Sequence, residues 1–458
     1  GLLWESRRDA ALGLEQDGKG YEAISKLLAN IVDEEHAGKI DAAALDRRRM
    51  GMLLGQGATL IDRTVLADAN PMAVAISPDG SLLAVALNDQ SVRWYDTATL
   101  TERGRVSLAD VFSSDGQRRS VQLLRFIDNH RLRATLEWYS VYASPNDGDT
   151  WLVDLDRAAL IEPPAEFKDF ADAIYSGDGN YALLRDQHGH VQLWQTAPWR
   201  ARSPLVTVPR AIEIQPWLID RQAHFAAYLT EKMDHLVLYD LPDLTTPNVI
   251  AIPGDAGIFA WALSHDGHTL ALGDFEGRVF LLDTRTRALR QLPKSRGREI
   301  TWISFSEDDA WLAVAGQDGA VDAFDTTTGD SLVAGQMSHD FKVQRVGLSH
   351  TQRLLIAHGE GQTAMWRLPL AGPRAIPAQR IAVAAAPHGL SGRYPADWSF
   401  ASGLLATAGM DGQVRLWRMP LPALRDAMAA RQVPERTYFD GRRLVDVEWN
   451  RVRIVNAA

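Results

Sequence analysis

The chain has 458 residues, no cysteine and a formal net charge of −10 at pH 7. With 46% hydrophobic and 23% charged residues it can bury a sizeable core and is not a disordered chain. Zero cysteine excludes a disulfide framework, a zinc finger, an iron–sulfur cluster and a cysteine nucleophile. The acidic balance argues against a broad nucleic-acid face, because phosphates demand clustered Lys and Arg. No apolar run reaches the roughly eighteen residues that a membrane-crossing helix needs. Gly1 in place of Met leads us to expect a fragment or a processed chain. The missing thiols fit an oxidising space, where a stray cysteine would mispair, and fit compositional chance equally well.

Residues 4–16, 20–36 and 41–54 carry helical apolar spacing and no proline. In the second stretch Ile24, Leu27, Leu28, Ile31 and Val32 fall at i, i+3, i+4, i+7 and i+8, one face of a helix. Gly18, Gly38 and Gly55 stand at plausible helix ends. We therefore expect a short N-terminal α-helical segment over 1–57. The stretch 11–28 is similar to a tetratricopeptide-type hairpin, and one such unit is too short for a peptide-binding solenoid. Residues 59–67 can then supply a strand that closes a ring built by the downstream residues.

From Pro71 onward one pattern recurs. A short apolar strand, Val74-Ala75-Ile76, runs into the turn Ser77-Pro78-Asp79-Gly80. A second apolar strand, Leu82–Ala86, is followed by the polar turn Asn88-Asp89-Gln90. An alternating strand then ends on an anchor, Val92-Arg93-Trp94-Tyr95-Asp96. Turns led by Ser176, Ser264 and Ser306 repeat this grammar. The anchors are Tyr95, Val153, Trp194, Tyr239, Leu282, Phe324, Trp366 and Trp417, spaced by 58, 41, 45, 43, 42, 42 and 51 residues. Most gaps match the roughly 40–45 residues of a four-stranded propeller blade. Period-2 alternation with Asp-Gly turns is a hairpin signal, not a helical one.

These residues resemble the WD-repeat β-propeller family over about residues 59–420. The resemblance implies an all-β fold of eight blades, with seven as the alternative. The Trp-Asp dipeptide itself is absent; the anchors read Tyr-Asp, Val-Asp, Leu-Asp and Phe-Asp, or Trp without Asp. The domains expected are 1–57 helical, 58–420 propeller, and 421–458 a helix over 421–432 plus a hairpin of 443–449 and 451–455. Gly1–Trp4 followed by Glu5-Ser6-Arg7-Arg8, the helical pair, and Arg47-Arg48-Arg49-Met50 before a propeller resemble a further layout. It is that of the region after the membrane span in bacterial transmembrane serine/threonine kinases with WD-repeat sensor domains. That resemblance implies a membrane link through an upstream span and a periplasmic location, with the cytoplasm as the alternative. Arg7 and Arg8 favour the cytoplasmic side.

No catalytic constellation rises above background, and no cofactor or metal site is expected. Kinase loops are absent, and Asp274-Phe275-Glu276-Gly277 reads as a turn. His265-Asp266-Gly267-His268 and His188-Gly189-His190 lack an obvious third ligand and read as turn residues. Asp325-Thr326-Thr327-Thr328-Gly329 is the nearest echo of the docking motif of eight-bladed quinoprotein dehydrogenases, and it too reads as a turn. A propeller enzyme or small-molecule binder using the central channel stays as an alternative.

A protein or peptide partner is expected instead. In a four-stranded blade the turns after the second and fourth strands share one face. Three long segments fall there: 109–120, 137–149 and 384–396. They carry Phe112, Arg118, Arg119, Trp138, Tyr139, Tyr142, His388, Arg393 and Tyr394. Aromatics and Arg dominate interface hot spots, and long loops on a rigid scaffold commonly carry function. In a closed ring blade eight abuts blade one, so the three segments should form one arc. The alternative is that these aromatics fold back and plug the mouth of the ring.

Overall fold

The computed structural model describes residues 69–108, 121–136, 150–208, 217–368, 379–385 and 395–419, with short breaks at turns. It also describes strands within 59–65 and 436–456 and helical positions within 6–46. Eight four-stranded antiparallel units follow one another along the chain, one of them with an extra short strand, Val206–Thr207. Their first strands, called a, are Pro71–Ile76, Val121–Phe126, Phe170–Tyr175, Leu218–Ile219, Ile258–Leu263, Ile300–Phe305, Arg345–Ser349 and Ala396–Ser399. These start blades one to eight. Strands b, c and d follow outward in order. The chain is an all-β, eight-bladed propeller, and its inner a strands ring a central channel.

The recurring grammar has a mechanical cause. Ser77, Ser176, Ser264 and Ser306 each donate a hydroxyl to the Asp two residues on, at 2.7, 2.7, 2.6 and 2.8 Å. Each Oγ also accepts the backbone N–H five residues on, from Leu82, Tyr181, Thr269 and Trp311. One side chain thereby fastens both ends of the a–b turn, as Ser and Asp do in local turns. Gly80, Gly179 and Gly267 take the left-handed position there, with φ of +74°, +66° and +75°. Thr97, Thr196, Thr284 and Thr326 reach back from the end of strand c to the carbonyls of Gly80, Gly179, Gly267 and Asp309, at 2.6–2.8 Å. Each turn is thus clamped to its own blade.

All eight anchor residues lie on the c strands, and all eight are buried. Clusters form between consecutive blades. Ala84 and Trp94 of blade one meet Leu124 and Leu132 of blade two. Leu281 of blade five meets Ile303 and Leu312 of blade six. Fully burying a Leu of this kind contributes about 1.5–3 kcal/mol, so stability is spread around the ring.

Closure uses both ends of the propeller sequence. Thr59–Val65 pairs antiparallel with strand c of blade eight, from Thr59 opposite Arg418 to Val65 opposite Gln413, with an irregularity between Leu60 and Asp62. Blade eight thus takes its d strand from the start of the propeller, which covers the outer edge of its strand c at the seam.

Beyond the ring, Arg443–Glu448 and Arg451–Asn456 pair as a hairpin, and Arg436–Phe439 adds a third strand to it. The helix expected over 421–432 lies outside the described residues. Residues 6–11 are helical, as are described positions within 26–36 and 42–46. Buried charge ties these stretches together: Arg8 Nε donates to Asp46 Oδ1 at 2.6 Å and Arg8 Nη2 to Glu34 Oε1 at 2.9 Å. Asn30 Nδ2 joins Asp46 Oδ2 at 3.2 Å. The hydrogen bond from Asp46 leads the effects that hold the Arg8 pKa above its ordinary value, against the burial that lowers it.

Candidate functional site: the channel and the face around its mouth

The nine residues singled out above, Phe112, Arg118, Arg119, Trp138, Tyr139, Tyr142, His388, Arg393 and Tyr394, lie outside the described residues. Their flanking strands are described. Residues 108–120 join strand d of blade one to strand a of blade two, and 137–149 join strands b and c of blade two. Residues 386–395 join strand d of blade seven to strand a of blade eight. In an antiparallel meander those junctions share one face, and the blades concerned are consecutive around the seam. The first two are the longest connections in the ring. All a–b turns, on the opposite face, are only four or five residues long.

Inside the channel the described residues carry an unexpected concentration of charge. Arg345, at the start of strand a of blade seven, donates through Nη1 to the carbonyl of Ala396 at 2.5 Å and through Nη2 to Asp397 Oδ1 at 3.0 Å. Its guanidinium lies over two indoles, 5.0 Å from the ring of Trp398 and 5.7 Å from that of Trp302. Such cation–π contacts fix the plane of the group as well as holding its charge. The second oxygen of Asp397 accepts the backbone N–H of Ile76 in blade one, at 2.9 Å. Asp397 therefore links blades seven, eight and one, and both its oxygens are engaged.

Arg125 stands on strand a of blade two, and Arg133 directly opposite it on strand b. Directly opposed residues of an antiparallel pair share one face of the sheet, so the two cations are neighbours. Arg125 is hemmed in by protein on all sides and yet presents open surface, which places it along a hole rather than in a core. Burial lowers its pKa, the nearby charge of Arg345 lowers it further, and Asp397 opposes both. Burial, then Arg125, pushes Arg133 down to about 10, so both guanidiniums remain charged at neutral pH.

The remaining sequence candidates lie in turns or at the strand ends beside them. His190 Nδ1 lies 2.6 Å from Asp186 Oδ2, and His265 Nδ1 lies 2.8 Å from Asp309 Oδ1. Asp274 accepts the N–H groups of Glu276 and Arg278 in the b–c turn of blade five. Asp325 accepts those of Thr327 and Thr328, and Gly329 there has φ +79°. Among the described residues no three His, Cys, Asp or Glu side chains converge as a metal site would require. A cleft of about 660 Å³ between blades two and three is walled by Leu152, Leu160, Ile161 and Trp199. Arg131 and Arg157 at its edge are paired with Asp128 and Asp154.

Sequence reasoning passed over Arg125, Arg133, Arg345 and Asp397. A signal was present: Leu123-Leu124-Arg125-Phe126 and Leu132-Arg133-Ala134 place charge inside short apolar strands, where a half-buried Arg needs a reason.

The WD domain, G-beta repeat family model matches residues 66–96 and 396–418, the two stretches that flank the ring closure. Human echinoderm microtubule-associated protein-like 2 is 25% identical over 201 residues, 40% of this chain and 27% of that protein, so the match falls well short of that relative's full length. Among solved structures, the C-terminal WD40 domain of Sif2 superposes with a TM-score of 0.58 at 13% identity, covering 80% of this chain and 99% of that domain. The computationally designed Ika8 protein gives 0.53 at 15% identity, covering 79% of this chain and 100% of that one. Identities this low speak for the fold. The chain carries WD40 repeats in the two stretches beside the closure, on an eight-bladed ring.

Proposed function

We propose that this chain is the recognition module of a larger signalling protein, and that it binds a protein or peptide partner on the face where 108–120, 137–149 and 386–395 leave the ring. The observation that carries this reading is the asymmetry of the two faces. The a–b turns on one side are four or five residues long, whereas the two longest connections, 108–120 and 137–149, rich in aromatics and Arg, leave blades one and two on the other. A rigid ring displays such segments at little entropic cost, the condition under which rotor-poor aromatics make hot spots. The module performs no chemistry of its own in this reading.

The same proposal extends to the parent protein, a bacterial transmembrane serine/threonine kinase whose extracytoplasmic sensor is this chain. Support comes from the arrangement of Trp4–Arg8, the helical stretches and the propeller. Arg7 and Arg8 are held by Asp33 and by Glu34 with Asp46, which fits a packing role better than contact with lipid headgroups. A second reading, a cytoplasmic scaffold without a membrane link, is favoured by the similarity to a microtubule-associated protein.

The test of the binding face is affinity capture with cross-linking, using Arg119→Ala, Tyr139→Ala and Tyr394→Ala in the full-length parent. Loss of capture with an unchanged far-UV spectrum is expected. Undiminished capture would defeat the assignment of the face. Protease access to the chain in spheroplasts separates the two compartments: digestion supports the sensor, and protection supports the scaffold.

A further inference from the structure

Among the described residues Arg125, unlike Arg345, has no bonded counter-charge. Arg345 is locked by the carbonyl of Ala396, by Asp397 and by two indoles. Asp397 has one oxygen on Arg345 and the other on the amide of Ile76, so it is not free to turn towards blade two. Arg125 makes no hydrogen bond or ion pair among the described residues, while its guanidinium is open to channel space. Arg133 shares its sheet face and adds a second positive charge. Two like charges on one sheet face repel each other, and an anion between them removes that repulsion.

We propose that the channel beside Arg125 is an oxyanion-binding site, taking a carboxylate or phosphate group that lies between Arg125 and Arg133 with Arg345 as the more distant cation. A planar guanidinium offers paired N–H donors whose spacing matches two oxygens of such a group. The anion relieves the repulsion among the three arginines, and the enclosed setting strengthens its charge-assisted bonds. Nothing in the site selects for a metal, because Asp397, the acid of this set, is already bonded through both oxygens. Two sources present the same chemistry: a free phosphate ion that enters the channel, or a Glu or Asp side chain that a partner inserts from the mouth. The site does not depend on which segments form the partner face.

The test is isothermal titration of the whole chain at low ionic strength. The probes are inorganic phosphate and the peptide Gly-Glu-Gly-Glu-Gly, with its Gln analogue as control. One site per chain is expected for at least one anionic probe, at least tenfold weaker in Arg125→Gln and partly kept in Arg125→Lys. Tighter binding of the Glu peptide than of phosphate assigns an inserted side chain; the reverse assigns the free ion. The absence of binding by both probes would overturn the proposal, and so would equal affinity in Arg125→Gln. Should Arg125→Gln lose its fold, Arg125→Lys and the salt dependence of wild-type binding decide the question in its place. A flat salt response would count against the site, since ion-driven binding weakens as salt rises. A positive result here alongside intact partner capture by the loop variants would sink the proposed face and leave the channel site standing.

Discussion

Asp309 of blade six caps His265 of blade five: its Oδ1 accepts the His265 backbone N–H at 2.8 Å and lies 2.8 Å from the imidazole Nδ1. Its other oxygen takes the N–H of Asp266 at 2.9 Å. Asp309 does this from φ +60°, the position that glycine fills at 80, 179 and 267. The left-handed backbone costs a non-glycine residue about 1 kcal/mol, whereas hydrogen bonds to a charged group contribute about 1.5–3 kcal/mol each. The clasp therefore outweighs the strain. Asp309→Gly should be destabilised by about 1–2 kcal/mol in urea unfolding, despite the easier backbone. Asp309→Asn, which tolerates this φ, should fall between it and wild type. A glycine variant as stable as wild type would show that the clasp contributes nothing net.

Closure makes a second prediction. Without Thr59–Val65, strand c of blade eight keeps its b-side partner and exposes its other edge. Truncation to residue 66 should lower the melting temperature by several degrees and promote edge-to-edge association. Calorimetry and light scattering at rising concentration measure the two effects. A truncated chain that melts and scatters like wild type would mean that the seam is not closed through this strand.

Much of this ring was legible because its information is local. A Ser fastening a turn, an Asp accepting two amides and a Thr reaching back to a carbonyl all act within about seventeen residues, so they leave a spaced signature. The closing strand could be anticipated for a different reason, since a ring with an open edge is unstable. The channel was not legible, because its charges come from blades two, seven and eight and meet only after closure. Arg125 and Asp397 are 272 positions apart in the chain. The clasp of Asp309 on His265 is hidden for the same reason: from sequence, His265-Asp266-Gly267-His268 looks like a self-contained turn. The third C-terminal strand, Arg436–Phe439, is short and lacks a clear alternation, so pattern reading passed it over.

Acid should loosen the junction between blades six and seven. Burial works to raise the pKa of Asp308, but hydrogen bonds from His350, Ser306 and the Ala310 amide outweigh it and leave the group below its ordinary value. Glu307 is lowered likewise, burial being overcome by the hydroxyl and amide of Thr351 and by Ser349. A carboxylate depressed in the folded state stabilises fully above its unfolded pKa, near 4, and loses that contribution as pH falls through the lower folded value. Urea midpoints should therefore decline between about pH 4.5 and 2.5. Asp308→Asn should start lower at pH 7, and its deficit should shrink across that window. A deficit independent of pH would mean that packing, not charge, is what the substitution removes.

The last prediction concerns the cage around Arg345. Gly347 sits two residues on, and a Cβ built there would meet the indole of Trp398 at 2.5–2.9 Å, through Nε1, Cζ2 and Cε2. The indole is rigid and already stacked on the guanidinium, so it cannot yield by rotating a flexible tip. Gly347→Ala must push Trp398 aside and loosen the contact that orients Arg345. Overpacking of this kind costs about 1–3 kcal/mol, and the tryptophan emission should shift as the ring moves. Gly177→Ala is the matched control: its Cβ would come no nearer than 4.0 Å to Arg221, and its φ is not left-handed. There the loss of unfolded-state freedom should leave stability unchanged or raised by about 0.4–1 kcal/mol. Equal stability of the two variants would show that Trp398 is free to move and that the channel wall is less rigid than its contacts imply.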